Sequence, residues 1–158
     1  MMHTWFLCKI SYVKTLENGT DKKVSEPYLV DALSFTEAEA RIIEEMAPYI
    51  SGEFSVSDVG RAKFSEIFFA DDDINASYWY KVKLVFITLD EKTGSEKKTS
   101  TNVLVQAPDF RDAVKRLDEG MKSCMAYYII VSVAETPIMD VYPYEVPEDA
   151  KAEFAEEE

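Results

Sequence analysis

Two stretches of this chain carry one pattern. VSEPYLVDALSFTEAEARIIEEM begins at Val24, and TSTNVLVQAPDFRDAVKRLDEGM begins at Thr99, 75 positions later. An internal repeat constrains a fold more than local propensity does, because the unit specified by one copy has to be specified by the other as well. The chain is therefore read first as two halves.

Each half opens with a hairpin. WFLCKISY (residues 5–12) has apolar groups on both parities and reads as a largely buried strand, and WYKVKLVF (residues 79–86) alternates more cleanly. ENGTDKK turns the first and DEKTGSEKK the second, with Gly19 and Gly94 supplying the positive φ that such turns need. The second strands, PYLVDAL and NVLVQAP, run into helices whose starts are written the same way. Ser34 stands three residues before Glu37, and Asp109 three before Asp112, so a cap oxygen can accept from an orphan amide with an acid placed at the positive helix end. Behind the caps, Phe35, Ala38, Ile42 and Met46 match Phe110, Ala113, Leu117 and Met121, a single helix face. Pro48 and Gly120 are read as terminators. Two strand-like runs follow each helix, residues 54–59 with 62–69 and residues 128–133 with 137–142.

The expected fold is α+β: two pseudo-symmetric β-β-α-β-β repeats packed as one body, with antiparallel sheets that each carry one helix. A single domain spans residues 1–146, its repeats covering about 4–69 and 78–144 with a link at 70–77. Half of such a chain gives a marginal core, which is the reason for expecting the halves to pack together. The last residues, 147–158 (PEDAKAEFAEEE), hold six acids and one lysine and read as a flexible acidic tail.

The phrases EPYLVDALSFTEAEARIIEEM, FSEIFFADDD and ETPIMDVYPY give the chain its one resemblance. It is similar to an uncharacterised bacterial family catalogued only as a domain of unknown function, over roughly residues 4 to 144. The resemblance implies no activity, ligand or catalytic residue.

At 158 residues with 47% apolar and 30% charged side chains, the composition is that of a soluble globular protein. Polar residues interrupt every apolar run well short of the ~20 needed to span a bilayer, and MMHTWFLCKI lacks the basic and small-residue marks of a signal peptide, so a cytoplasmic location and no membrane contact are expected. Cys8 and Cys124 sit in apolar contexts at non-equivalent places and read as reduced core residues. The net charge of −13 favours basic partners over polyphosphates. Nine of the 17 basic residues (Lys9, Lys14, Lys22, Lys23, Lys81, Lys83, Lys92, Lys97, Lys98) fall in the hairpins, which polarises the surface.

The sequence offers little chemistry. His3 is the one histidine and lies at the terminus, which removes imidazole triads and histidine metal sites. No glycine belongs to a phosphate-binding motif. Asp71, Asp72 and Asp73 lack the spacing of a calcium loop and read as a solvated link. Glu66 and Asp140 occupy matching places and are candidate paired carboxylates, while Lys9 with Glu66 and Lys83 with Asp140 are the competing reading as two cross-strand ion pairs. Lys22, Lys23, Lys97 and Lys98 with Trp5 and Trp79 are candidate single-stranded nucleic-acid contacts, since bases stack on aromatic rings while lysines track phosphates. The expectation is a non-enzymatic binding or adaptor protein meeting a protein partner through an acidic surface, with no catalytic residue, metal or cofactor assigned. The alternative is a single-stranded nucleic-acid-binding protein that uses the hairpins and is regulated by its acidic tail.

Overall fold

Alternating apolar positions and a glycine turn make each half begin as a long hairpin. In the computed structural model, which describes residues 4–143, β1 (Trp5–Thr15) pairs antiparallel with β2 (Asp21–Asp31). In the second half β5 (Tyr78–Leu89) pairs antiparallel with β6 (Glu96–Ala107). Gly19 (φ 83°) and Gly94 (φ 70°) take the left-handed backbone of the two turns, and Asn18 Oδ1 accepts from the Thr20 amide at 3.0 Å to close the first.

The capped helices follow as the sequence indicates. In α1 (Phe35–Met46), Ser34 Oγ accepts from the Glu37 amide at 3.1 Å. In α2 (Phe110–Gly120), Asp109 Oδ1 accepts from the Asp112 amide at 2.8 Å. Each cap replaces water on an orphan donor and contributes ~1 kcal/mol. Ala38, Ile42 and Met46 are buried against Phe6, Cys8, Ile10, Tyr28 and Val30, and Ala113, Leu117 and Met121 against Tyr80, Val82, Leu84, Val103 and Val105. Phe35 and Phe110, expected to open the buried face, are 47% and 53% exposed. Phe35 stands edge-on to Phe6 at 4.9 Å.

The remaining strands are β3 (Phe54–Ala62), β4 (Glu66–Phe68), β7 (Tyr127–Thr136) and β8 (Asp140–Tyr142). The element order β-β-α-β-β thus occurs twice, in an α+β fold with two four-stranded sheets. The fourth strands are exchanged between the halves: the first sheet runs β3-β1-β2-β8 and the second β4-β6-β5-β7. Residues 4–61 with 141–143 form one compact unit, and residues 62–140 form the other. β4 lies parallel to β6, Ile67 opposite Leu104, so the second sheet is mixed where the sequence led us to expect antiparallel pairing throughout.

Gly120 is the last residue of α2, as expected of a terminator, and its bare Cα also makes room for the Phe68 ring of β4, which lies 2.6 Å from where a Cβ would stand. The link at 70–77 is tied down within the second unit. Gln106 accepts from the Ala70 amide and donates to the Ala76 carbonyl, both at 3.0 Å. His3 and the acidic tail at 147–158 lie outside the described residues.

Candidate functional site

The helix α1 and the strand β3 of the first unit leave an open groove of about 620 Å³ between them. Glu39 and Ile43, one helical turn apart, form one wall, and Gly52, Glu53, Phe54, Ser55 and Val56 the other. Gly52 (φ 101°) turns the chain from the helix into β3. Phe54 and Val56 lean on the core from above while Ile43 is 42% exposed, so the floor is apolar and reachable. Two carboxylates and no cation are among its lining residues. Burial pushes the Cys8 thiol in the core beneath up to about 11, with Asp58 and Glu39 adding to the rise.

The second unit shows how the same place looks when it is closed. Asp118 stands where Ile43 does and Tyr128 where Phe54 does, and the Tyr128 hydroxyl donates to Asp118 Oδ1 at 3.0 Å across the gap. A helix-to-strand hydrogen bond thus spans the position that is a groove in the first unit.

Two other polar constellations are structural in form. Glu26 accepts from the Tyr12 hydroxyl at 2.9 Å and the Tyr28 hydroxyl at 3.0 Å, and Tyr28 stacks on Tyr142 of β8 with centroids 6.2 Å apart. Burial first, and the Glu26 carboxylate next, hold both phenols above their ordinary range. On α2, Arg116 fans out to Asp112 (2.5 Å), Asp72 (3.1 Å) and Asp73 (3.3 Å). Arg41, its counterpart on α1, donates to the Asp31 carbonyl and to the Pro143 carbonyl, the latter at 3.1 Å. Each arginine therefore holds the chain just after an exchanged strand. The triple aspartate read as a solvated link is in part this clamp, and the clue in the sequence was the matching position of the two arginines.

Trp5 and Trp79 are 6% and 2% exposed, and Trp79 packs edge-on against Phe69 at 5.6 Å, so neither ring is available for base stacking. The aromatic half of the nucleic-acid reading is thereby corrected: both rings belong to the interior. Lys22 and Lys23 are exposed on β2, facing Lys14 and Val13 of β1, and Lys97 and Lys98 are exposed on β6, facing Thr88 and Ile87 of β5. Glu66 lies on β4 opposite Val103, and Asp140 lies on β8 in the other sheet. The exchange of strands also corrects the paired-lysine reading: Lys9 faces Pro27, and Lys83 faces Asn102 and Ser132, so neither is the cross-strand neighbour of its expected acid. Among the described residues no group of three or more His, Cys, Asp or Glu side chains is placed to hold a metal ion.

A family model described as "Domain of unknown function (DUF4494)" matches residues 4–144. The chain belongs to that family. The match covers both units of this DUF4494 protein and stops short of the acidic tail. No curated protein and no solved structure matches the chain. No helix among the described residues is long and apolar enough to cross a membrane.

Proposed function

We propose that this DUF4494 protein is a non-enzymatic, cytoplasmic binding or adaptor protein, and that its acidic groove takes a basic, apolar segment of a partner protein. The α1–β3 groove carries the reading: an apolar floor of exposed Ile43 with half-buried Phe54 and Val56 is flanked by Glu39 and Glu53, and its counterpart in the second unit is bridged by Tyr128 and Asp118. About 620 Å³ is within the ordinary range for ligand pockets. A side chain that fills the floor gains from burial, and lysines beside it gain from the two carboxylates in a molecule of net charge −13. We also read the repeated element order as an internal duplication in which one copy kept the groove and the other closed it.

Fluorescence anisotropy of a short labelled peptide alternating Leu and Lys tests this. The expected result is saturable binding that weakens with salt and falls about tenfold in Glu39→Lys with Glu53→Lys. Binding unchanged by that double reversal, or no binding at all, rejects the groove as the acidic interaction surface.

A further inference from the structure

The strand β7 is built as if it lay inside a sheet, yet it stands at the edge of one. The order β4-β6-β5-β7 pairs it with β5 alone among the described residues. Its sequence, YYIIVSVAET, is apolar on both parities, the pattern of a strand covered on both faces. Tyr128, Ile130 and Val133 point into the core under α2. Tyr127, Ile129 and Val131 are 68%, 43% and 54% exposed. Edge strands are ordinarily blunted with lysine or proline, and β7 has neither; its one charge is Glu135 and its one irregularity is the bulge opposite Lys83 and Leu84.

The matching strand of the first unit shows that the fold does not require this. Where β7 has Tyr127, Ile129 and Val131, the first unit has Glu53, just ahead of β3, and Ser55 and Ser57 on it. The neighbouring strand differs in the same sense: Val85 and Ile87 of β5, opposite Ile129 and Tyr127, stand where β1 has Ser11 and Val13. One unit thus carries an apolar strip on its helix-free face where the other is mostly polar. The strip is edged by cations in an otherwise acidic protein. Lys81 and Lys83 share the row of Val85 and Ile87, and Lys98 stands directly across from Ile87. All three are exposed.

We infer that the β7 edge and the face beside it form a docking site for an extended segment of another protein, apolar and acidic in alternation, which adds as a fifth strand to the second sheet. Main-chain hydrogen bonds along β7 would supply affinity, the strip of Tyr127, Ile129 and Val85 would take alternate side chains, and the lysines would select carboxylates. A second copy of this chain fits poorly, because it would bring the same three lysines and another net charge of −13. This site requires a partner of opposite charge from that of the groove on the first unit, so the two proposals stand or fall separately.

The test uses the full chain and a fluorescein-labelled peptide alternating Val and Glu, with a Val and Lys peptide and oligo-dT as comparison probes. The expected result is binding of the Val and Glu peptide alone, weakened several-fold by raising salt to about 0.3 M and about tenfold in Ile129→Lys and in Val131→Lys, with both variants melting like the parent. Absence of that binding, binding undiminished in the two variants, preference for the lysine peptide or oligo-dT, or a dimer that Ile129→Lys dissociates would each overturn the inference.

Discussion

Replacing Arg116 by Met should cost the second unit about 1.5 to 2.5 kcal/mol. The magnitude comes from the clamp. Asp112, at 2.5 Å on the same helix, and Asp73, at 3.3 Å on the link, are 28% and 26% exposed, so each is partly screened by solvent. A helical i,i+4 pair contributes ~0.3 to 0.5 kcal/mol, and a charge-assisted hydrogen bond ~1.5 kcal/mol at the low end appropriate to this exposure. The carboxylates left behind then repel one another. Met keeps most of the packing volume, which isolates the charge. Urea unfolding in a Trp5→Phe background, where Trp79 reports on the second unit, should show the midpoint fall by ~1 M. Arg111→Met, an exposed change on the same helix, should stay within ~0.5 kcal/mol.

The pH dependence has a fixed sign. The hydrogen bond from Arg116, with its charge, holds the Asp72 carboxyl below its ordinary value of 3.8. A depressed folded pKa contributes stability that is present above the ordinary value and is lost as pH falls through the folded one. The gap between parent and Arg116→Met should therefore narrow below about pH 4. An effect no larger than that of Arg111→Met, or a gap constant down to acid pH, would refute the clamp.

Three further outcomes follow from the same geometry. Gln106→Leu should cost ~2 to 4 kcal/mol, since it strands the amide of buried Ala70 and the carbonyl of buried Ala76 at the two ends of an otherwise largely exposed link, and limited proteolysis should then cut within residues 70–77; a protease-resistant variant of parental stability would contradict this. Because burial and Glu26 raise the Tyr28 hydroxyl, stability should be intact below its ordinary value of 10.0 and decline as pH rises above it, and Glu26→Gln should make that decline shallower in urea titrations; equal slopes would count against the phenol cluster. Of the two cysteines, Cys8 is fully buried and pushed up to about 11 while Cys124 is partly exposed, so a disulfide reagent at about pH 8 should titrate one thiol in the native protein and both in urea; two fast thiols would refute the placement.

Local chemistry was legible in the sequence and pairing was not. Ser34 and Asp109 cap their helices as spacing indicates, and Gly19 and Gly94 turn the hairpins, because these are interactions over three or four residues. The destination of the fourth strands is a different problem. β4 and β8 are three residues long, too short for a period, and a repeated sequence offers each of them two matching edges, that of β2 and that of β6. Reading each half as self-contained put Glu66 beside Lys9 and Asp140 beside Lys83, and the exchange assigns each acid to a different sheet from its expected lysine. Trp5 and Trp79 misled for another reason: a tryptophan next to lysines in a strand has the same sequence signature whether its ring faces water or the interior, and here both face inward. The exposed strip on β7 could have been found by setting Tyr127, Ile129 and Val131 against Glu53, Ser55 and Ser57, a comparison between copies that no single segment suggests.

The most direct test of the central claim, that the second sheet keeps an open edge, is residue-by-residue amide hydrogen exchange along β7 in the full chain without a partner. Amides that bond to β5 should be protected and those between them, turned outward, should exchange quickly, in alternation on each side of the bulge at Val131, where the phase shifts by one residue. Uniform protection along β7 would mean that its edge is already paired, and would contradict the account of it as a docking strand.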